Sequence, residues 1–309
     1  MPNSSSTPAG RRHFPLNADQ REAAQAWLEF GERTPTKPRQ ASSVVLLKDS
    51  PSGVQTFLTY RPGESPLGTV AFPGGTIEAA DDDVTDWVGP PPVAWAKSLG
   101  TDDIGLAKRH VVAAIRELFE ETGILLAGPD ESSLVENNAG QEWMRARESI
   151  AAQESTFAQL LARYGLALRT DLLKPLNHWT SPDFAHRRFD TRYFAATRPL
   201  NQEPTLLSSK GVWGRWASAA DILANRGNTA LGDEIAQPDT AGLVLGELVV
   251  PGVEIILEKI AAARGCIAYL NHKRAINEYQ PKLVVGDDGE FSLEVKTAPA
   301  SEGAACRER

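Results

Sequence analysis

A helical repeat of apolar residues is the clearest pattern in the chain and covers residues 108–122. Val111, Ile115 and Leu118 recur at intervals of four and three, which places them on one face of an α-helix. Gly123 follows, at the position where a glycine often ends a helix in the left-handed conformation. The pattern therefore predicts an amphipathic helix that packs on a core.

Weaker patterns predict the other elements. Helices are predicted over residues 140–152, 154–166, 218–224 and 253–263, and from a cap at Asn17 or Asp19 to about Glu32. Runs of β-branched and aromatic residues predict strands at 43–47, 55–60, 176–180, 188–195 and 212–217, a short strand before Pro73, and a hairpin at 283–285 and 291–295. The Asp and Pro triplets within residues 79–107 predict an irregular segment there. Flexible segments are predicted at residues 1–16 and from residue 298 onward.

The composition is that of an ordinary globular protein. Of 309 residues, 41% are apolar and 23% are charged, and the net charge is −8. This length allows one large domain or two small ones. A negatively charged chain is poorly suited to neutralise nucleic-acid phosphates, and no apolar run reaches the roughly 18 residues of a membrane span. We expect neither a nucleic-acid partner nor membrane association.

The cysteines and the first residues bear on the compartment. The sequence contains only Cys266 and Cys306, so neither a disulfide framework nor a Cys-rich zinc site is expected. Cys266 follows an apolar helix and is expected to be buried and unreactive. Residues 1–10 lack the apolar segment that is typical of a secretion signal. The sequence therefore predicts a cytoplasmic protein.

Three glutamates stand out on the predicted helix. Glu117, Glu120 and Glu121 are spaced at i, i+3 and i+4, so their side chains share one face. Three adjacent like charges destabilise a bare helix, and carboxylate oxygens suit hard cations such as Mg²⁺ or Mn²⁺. The cluster by itself fits either a solvated acidic face or a metal site.

The surrounding residues favour the metal site. Together they resemble the Nudix box, G-x5-E-x7-R-E-U-x-E-E-x-G-U, in which U is aliphatic. The second half of the box matches at every fixed position, and Gly75 supplies the opening glycine; the matching residues are Arg116, Glu117, Leu118, Glu120, Glu121, Gly123 and Ile124. By these residues the chain is identified as a member of the Nudix superfamily.

The chain departs from the box in two places. The first-half glutamate falls at Asp81, and its role passes to that residue, to Asp82 or Asp83, or to Glu78. In addition, the 34 residues 82–115 separate Asp81 from Arg116, where the box has seven. The box therefore carries an insertion of about 27 residues within segment 79–107.

Two further stretches are similar to the coenzyme A diphosphatase branch of the superfamily, some members of which have such an insertion. One is Gly68 followed by residues 72–75 (FPGG), and the other is residues 179–182 (WTSP) followed by 188–194 (RFDTRYF). Residues 58–61 (LTYR) match the start of the branch's coenzyme A signature approximately. The resemblance implies hydrolysis of coenzyme A or an acyl-coenzyme A to 3′,5′-ADP and 4′-phosphopantetheine, which keeps any acyl group.

The resemblance also implies a fold, which is an α/β/α sandwich around a mixed sheet. It covers residues 41–265, with 79–107 as the insertion within the box. Residues 1–40 then form a flexible arm and an N-terminal helix. Residues 266–309 form a C-terminal extension with the late hairpin and a loose tail.

The roles of the site residues follow from the same resemblance. It places Mg²⁺ or Mn²⁺ on Glu117, Glu120, Glu121 and the backbone of Gly75. Catalysis falls to Glu120 and Glu121, with Arg116 holding the helix against the loop. The general base is one of the glutamates or a residue of a later loop such as Glu234.

A diphosphate substrate also requires cations in its pocket. Arg61, Arg188, Phe72 and Gly74 are the predicted substrate-binding residues, because they lie in or beside the matching motifs. Each arginine, like the neighbouring Arg187 and Arg192, fits a surface salt bridge equally well. His186 is expected to be a loop residue, and His-based zinc binding is not signalled.

Two other functions remain open at this point. The chain could hydrolyse a different nucleoside diphosphate derivative, such as ADP-ribose, NADH or a sugar nucleotide. It could also be a Nudix-shaped ligand sensor without turnover, although three clustered carboxylates speak against that. The expected partner is a small diphosphate, and the resemblance allows a homodimer.

Overall fold

The computed structural model describes residues 10–30, 34–63, 65–136, 140–207, 211–272, 274 and 276–297. Within these ranges the strands are β1 (Arg11–Pro15), β2 (Arg39–Ser50), β3 (Gly53–Tyr60), β4 (Val70–Ala71), β5 (Gly74–Thr76), β6 (Trp87–Val88), β7 (Ala127–Gly128), β8 (Ala167–Arg169), β9 (Lys174–Thr180), β10 (Phe189–Thr197), β11 (Gly214–Ser218), β12 (Glu278–Tyr279), β13 (Lys282–Val285) and β14 (Phe291–Lys296). The α-helices are α1 (Ala18–Glu29), α2 (Pro92–Leu99), α3 (Ile104–Thr122), α4 (Gln141–Ala151), α5 (Phe157–Tyr164), α6 (Ala219–Ala224), α7 (Ala230–Ile235), α8 (Leu245–Leu248), α9 (Pro251–Ala261) and α10 (Cys266–Asn271).

A mixed sheet forms the centre of the molecule. Its strand order is β11-β3-β2-β10-β9-β12, with β4 paired to β3 and β5 paired to β2. β2 runs parallel to β10 and β9 runs parallel to β12, whereas the other neighbours are antiparallel. Two smaller sheets have the orders β1-β14-β13 and β6-β8-β7. The pairing of β5 with β2 brings the glycine corner back to the middle of the central sheet.

Helices cover both faces of this sheet. β2 is buried on both sides, since Val44 and Leu46 point to one face and Val45 and Leu47 to the other. α3 packs on the first face, while α6 and α9 pack on the second. A strand buried on both faces reads as a continuous apolar run, as β2 does. The predicted α/β/α sandwich with a mixed sheet is therefore confirmed.

The segment at 79–107 is more regular than its composition predicts. It contains a 3-10 turn over Ala79–Asp83, then β6, α2 and the start of α3. Pro92 suits the first turn of α2 because a helix leaves that N–H unbonded, and Gly100 ends the helix with a positive φ of 67°. Trp95 of α2 is buried and meets Phe194 edge-on, with ring centroids 6.0 Å apart. The prediction of an irregular excursion is thus wrong, since α2 buries an apolar face against the sheet.

α3 begins earlier than its apolar repeat indicates. Asp103 caps it by accepting a hydrogen bond from the N–H of Leu106 at 2.8 Å, so the helix runs for 19 residues. Its apolar face packs on the sheet and its acidic face does not. None of the helices in the described ranges is both long enough and apolar enough to span a membrane.

The residues before α1 are also ordered differently from the prediction of a flexible arm. β1 pairs with β14 in antiparallel register, and Phe14 and Leu16 are buried in the main core. Asn17 then caps α1, and its side chain accepts from the N–H of Gln20 at 2.9 Å. Residues 1–9, 31–33 and 298–309, where the rest of the arm, the predicted helix end at Glu32 and the loose tail fall, lie outside the described residues. Apolar side chains at two positions of the arm explain why it packs.

Candidate active site

The acidic face of α3 lies at the C-terminal end of the helix. Glu117, Glu120 and Glu121 occupy its last two turns, and no basic residue falls in the last turn. The partial negative charge of a helix C-terminus repels carboxylates, so the stability of the helix does not explain these three residues. Cations from other parts of the chain are needed to hold them together.

Arg116 supplies one of these cations from the protein interior. Its side chain is 3% exposed, and its Nη1 lies 2.9 Å from Glu117 and 3.0 Å from Glu120. Its Nε and Nη2 donate to the two oxygens of Asp81 at 2.8 and 3.2 Å. Nη2 also donates to the carbonyl of Thr76 at 2.8 Å. Through these bonds the guanidinium fork ties α3 to β5 and to the turn that follows β5.

Asp81 is the carboxylate that bonds this arginine most fully. Its side chain is 1% exposed, whereas Glu78 approaches Arg116 only to 3.8 Å. Asp82 turns outward and pairs with Arg109 at 2.9 Å. Burial raises the pKa of Asp81, although the hydrogen bonds and the charge of Arg116 act in the opposite direction. Among the carboxylates offered by the sequence, Asp81 is therefore the one that pairs most closely with Arg116.

Arg61 is the second cation beside the glutamates. Its Nη2 lies 2.6 Å from one oxygen of Glu121 and 2.8 Å from the other, and it donates to the carbonyl of Gly74 at 2.6 Å. The N–H of Gly74 donates in turn to Glu121 at 3.3 Å. The Nε of Arg61 is buried, and no acceptor for it is present among the described residues. The end of β3, the glycine corner and α3 thus meet at one carboxylate.

The two glycines of the corner allow close approach on either side of β5. A Cβ atom on Gly74 would lie 2.4 Å from the backbone carbonyl oxygen of Ser42 on β2, so the pairing of β5 with β2 requires glycine at this position. A Cβ on Gly75 would lie 2.5 Å from the carboxylate carbon of Glu117, so a larger residue there would push that side chain away from the corner.

Glu117 is an acidic residue of the cleft with a raised pKa. Burial raises its pKa to about 8, against the lowering effect of Arg116. The charges of Glu120 and Glu121 raise it further, and Arg61 lowers it. Ionisation of this carboxyl is therefore costly at the site, and a cation bound beside it would lower that cost.

An open cleft of about 430 Å³ runs past these groups. Its lining combines acidic and basic side chains, which are Glu78, Glu117, Glu120, Glu121, Arg39, Arg61 and Arg187. The backbone of the glycine corner and parts of the α4 and β10 regions complete the wall. A cleft with carboxylates on one side and guanidinium groups beside them suits a polyanion that is bound together with a cation.

A solved structure with the same architecture is the NUDIX hydrolase from Alicyclobacillus acidocaldarius. The two structures superimpose with a TM-score of 0.58 at 20% sequence identity, over 78% of this chain and 98% of that chain. The chain has the Nudix hydrolase fold. The MutT protein from Bacillus halodurans gives a TM-score of 0.34 at 12% identity, over 82% and 94% of the two chains, which is too low to add support. No protein-family model matches the chain.

Two of the predicted substrate-binding residues lie away from the cleft of this Nudix fold. Arg188 is buried and donates to the carbonyls of Ser181 and Thr36 and to the carboxylate of Asp183. Phe72 is fully buried in the main core, where it meets Tyr193 edge-on. Arg188 therefore holds the turn after β9, and Phe72 anchors the glycine corner; the structure offers neither side chain to a ligand in the cleft.

The predicted alternative base is also placed elsewhere. Glu234 of α7 pairs with Arg215 of β11 at 2.6 Å, and it is not among the described residues that line the cleft. Cys266 is buried as expected, and burial with the nearby charge of Asp49 raises its thiol pKa to about 12. Neither residue belongs to the carboxylate cluster.

His178 belongs to a buried polar chain rather than to the cleft. Its Nε2 bonds the carboxylate of Asp190, which accepts from the amide of Gln40 at 3.0 Å. The other end of Gln40 lies 3.0 Å from Nε2 of His110 on α3, and Nδ1 of His110 lies 3.0 Å from the hydroxyl of Ser42. These bonds connect β9, β10 and β2 to the middle of α3.

His110 is held neutral within that chain. Burial lowers its pKa to about 3, and the charge of Arg192 acts in the same direction. The charge of Asp190 opposes this shift without cancelling it. The histidine therefore positions α3 on the sheet through two neutral hydrogen bonds.

The fold implies divalent cations, and the donor set at the cleft fits them. Glu117, Glu120 and Glu121 offer hard carboxylate oxygens beside the backbone of Gly75. Within the described ranges, no group of three or more acidic, histidine or cysteine side chains is arranged so that it could hold a metal ion as it stands. Instead, each of the three carboxylates pairs with an arginine. A cation would therefore compete with Arg61 and Arg116 for the same oxygens.

Two arginines of the cleft were not among the predicted site residues. Arg39 starts β2 and donates to the hydroxyl of Thr76 at 3.4 Å, and Arg187 is the exposed neighbour of the buried Arg188. No motif marks Arg39, because the sequence predicts that the strand begins only at Ser43. Arg187 lies in the turn before β10, and the sequence offered it only as one of several arginines near the matching motif.

Proposed function

We propose that the chain is a divalent-metal-dependent diphosphatase that acts on coenzyme A or acyl-coenzyme A. The observation that carries the proposal is the buried Arg116–Asp81 pair, which holds Glu117 and Glu120 at a cleft where Arg61 holds Glu121. A ligand sensor has no need for carboxylates held against both a helix dipole and each other. The Nudix fold supports the reaction class.

In the proposed reaction, water attacks one phosphorus of the diphosphate and the bond to the bridging oxygen breaks. The hydroxyl group stays on the attacked phosphorus and the proton ends on the leaving phosphate. Glu117, Glu120 and Glu121 would hold divalent cations, which neutralise the charge of the diphosphate and acidify the attacking water when bound. One of these glutamates accepts the proton of the water.

The arginines have a complementary role in this proposal. Arg39, Arg61 and Arg187 line the cleft and bind phosphate oxygens. Arg61 exchanges Glu121 for a phosphate when a cation takes the carboxylate. Arg116 stays with Asp81, because both side chains are buried and a phosphate cannot reach them. The buried arginine therefore positions the glutamates, and the exposed ones bind the substrate.

The choice of coenzyme A rests on residues 68–75, 179–182 and 188–194, which are similar to the coenzyme A diphosphatase branch. The products would be 3′,5′-ADP and 4′-phosphopantetheine, or its acyl derivative. Arg188 supports this assignment only indirectly, because it holds the turn that carries Arg187.

A substrate panel tests the proposal. Coenzyme A, an acyl-coenzyme A, NADH, ADP-ribose and a sugar nucleotide are each incubated with Mg²⁺ or Mn²⁺, and the products are separated by chromatography. We expect 3′,5′-ADP to appear fastest from the two coenzyme A compounds and to be absent after chelation of the metal. Faster hydrolysis of another compound would replace the substrate and keep the reaction class. No turnover of any compound would support a sensor instead.

A further inference from the structure

Arg147 of α4 is a third cation beside the acidic helix, and it bonds the backbone rather than the carboxylates. The residue is 1% exposed, and its Nη2 donates to the carbonyl of Glu120 at 3.0 Å and to the carbonyl of Thr205 at 2.9 Å. Its Nη1 donates to the hydroxyl of Thr205 at 3.0 Å. One buried guanidinium therefore joins α3, α4 and the segment that follows β10.

The bond to Glu120 lies at the C-terminal end of α3. The last carbonyls of a helix have no partner within the helix, and the helix dipole places a partial negative charge there. α3 has no basic residue in its last turn, where Glu120 and Glu121 add two carboxylates. Arg147 supplies both a donor and a positive charge from another helix. The position of the last turn of α3 therefore depends on α4.

Fold stability is a weak reason for an arginine at this position. Among the described residues, every acceptor of its hydrogen bonds is neutral, and its buried Nε has no acceptor. Burial lowers the pKa of Arg147 to about 10, although the charges of Glu120 and Glu148 act in the opposite direction. A buried charge without a paired carboxylate is costly to desolvate. The contacts of Arg147 therefore direct attention to the site beside it.

The three parts that Arg147 joins all line the cleft of about 430 Å³, here called the carboxylate cleft. Glu120 of α3 is one of its lining residues. α4 lines it at Ile150, one turn after Arg147, and the segment after β10 lines it at Leu206, which directly follows Thr205. A shift of the last turn of α3 would therefore move the glutamates relative to two other walls of the cleft.

The bond of Arg147 also differs from those of the other two arginines in what a bound cation would do to it. Arg61 and Arg116 bond the carboxylate oxygens of the glutamates, so a cation competes with them. Arg147 bonds the backbone carbonyl of Glu120, which leaves the side chain free to turn to a cation. Its hold on the helix therefore remains when the other bonds are exchanged.

We propose that Arg147 is a positioning residue of the active site, which fixes the last turn of α3 while Glu120 and Glu121 bind a divalent cation. This inference rests on the proposed function, since it requires these glutamates to hold the cation. Arg147 acts through the backbone, because it is buried and is not among the described residues that line the cleft. Mg²⁺ requires a near-ideal arrangement of its oxygen ligands, so a small displacement of the helix end weakens binding.

Binding of Mn²⁺ without substrate tests the inference, with free Mn²⁺ measured by electron paramagnetic resonance. Arg147→Met removes the guanidinium and keeps a long side chain, whereas Arg147→Lys keeps the charge without the planar fork. Arg169→Met is the matched control. Arg169 of β8 is also buried, and it donates to the carboxylate of Asp171 and to the carbonyl of Ser133, away from the carboxylate cleft.

We expect Arg147→Met to raise the dissociation constant of Mn²⁺ at least about tenfold, and Arg147→Lys to restore part of the affinity. Arg169→Met should change this constant less than about twofold, although it also removes buried hydrogen bonds. For the best substrate at saturating Mn²⁺, Arg147→Met should lower kcat at least about tenfold and change KM less than about threefold. KM is spared because the arginines that bind the diphosphate lie on other elements.

Two results would overturn the inference. Equal weakening of Mn²⁺ binding by Arg147→Met and Arg169→Met would indicate a general loosening of the fold. Unchanged binding with Arg147→Met would show that α3 keeps its place without the guanidinium. If Arg147→Met does not fold, Thr205→Val replaces it, because this change removes only the hydroxyl acceptor of Nη1. It should raise the dissociation constant at least about twofold, and an unchanged constant overturns the inference.

The two measurements separate this inference from the proposed function. If the wild type binds Mn²⁺ but hydrolyses no compound of the substrate panel, the proposed function fails, and the Mn²⁺ affinities of the variants still decide the role of Arg147. If the wild type hydrolyses coenzyme A and the variants bind Mn²⁺ as tightly as it does, only the inference fails. A wild type that binds no Mn²⁺ overturns both.

Discussion

Two arginines of α3 pair with neighbouring aspartates of one short turn, and the two pairs differ in burial and in the number of bonds. Arg116 meets Asp81 at 2.8 Å with both side chains at most 3% exposed, and it bonds both oxygens of that carboxylate. Arg109 meets Asp82 at 2.9 Å with side chains that are 29% and 47% exposed. The shortest distances are alike, so the comparison shows what burial and the bonds that accompany it add to an ion pair.

Burial gives the two pairs different roles. An exposed ion pair contributes about 0–1 kcal/mol, because water solvates its members nearly as well as they solvate each other. Removing one member of a buried pair costs about 3–5 kcal/mol, since the remaining charge loses its partner in a poorly solvated place. The buried Arg116–Asp81 pair, here called the inner pair, therefore fixes the geometry of the glutamates. The exposed Arg109–Asp82 pair, the outer pair, lies on the surface of the same helix.

Removal of the inner aspartate should have the largest effect on stability. We expect Asp81→Ala to lower the free energy of unfolding by about 3 kcal/mol, because the buried Arg116 loses its shortest ion pair and keeps Glu78, Glu117 and Glu120 as its charged partners. Urea unfolding followed by circular dichroism measures this change. A loss below about 1 kcal/mol would place the inner pair in the same class as the outer one.

The variant Glu120→Gln separates a role in the proposed catalysis from a role in stability. Glu120→Gln keeps the size of the side chain and an acceptor for Arg116, but it removes a charge that the proposed cations require. We expect kcat for the best substrate to fall at least about 100-fold, or about 2.7 kcal/mol. The unfolding free energy should fall by less than it does for Asp81→Ala, because the amide oxygen of the new side chain still accepts from Arg116. Activity that survives this change would remove Glu120 from the proposed reaction.

The buried neutral His110 should make the stability of the protein depend on pH. The pKa of His110 is about 3 in the folded protein and about 6.5 when unfolded, so between these values the unfolded chain binds the extra proton. Stability is therefore lost as the pH falls, by about 2 kcal/mol between pH 7 and pH 5. The variant His110→Gln should show a loss that is smaller by that amount in urea unfolding. Equal losses in the two proteins would mean that His110 titrates normally.

Removal of the outer aspartate should have the smallest effect. Asp82→Ala leaves Arg109 exposed to water, and we expect the unfolding free energy to change by less than about 1 kcal/mol. Any change should shrink further in 0.5 M salt, which screens exposed charges. A loss as large as that of Asp81→Ala would show that the whole turn, rather than the inner pair, holds the helix.

The sequence predicts the central features of the molecule well. The apolar period of α3 identifies its buried face, and the apolar run at residues 44–47 identifies the part of β2 that is buried on both sides. These elements are predictable because each buries a long periodic face, which leaves a clear trace in the order of residues.

Side chains at the site are harder to predict than the elements that carry them. The sequence does not distinguish among the three consecutive aspartates 81–83. The position of α3 against the turn determines that Asp81 pairs with Arg116. Arg187 and Arg188 are adjacent, yet one lines the cleft and the other is buried. β1 is not predicted from the sequence because it pairs with β14, which is distant along the chain.

The pairing of β1 with β14 has a consequence for the order of assembly. β14 follows every other described strand in the chain, so β1 cannot complete its ladder until β14 has been synthesised. Contacts between distant parts of a chain also form late, because a long loop must close first. Leu293 of β14 and the start of α1 both line a small cleft beside the carboxylate cleft. We therefore expect that small cleft to be completed last in the growing chain, whereas the described residues that line the carboxylate cleft end at Gly211 and are synthesised earlier.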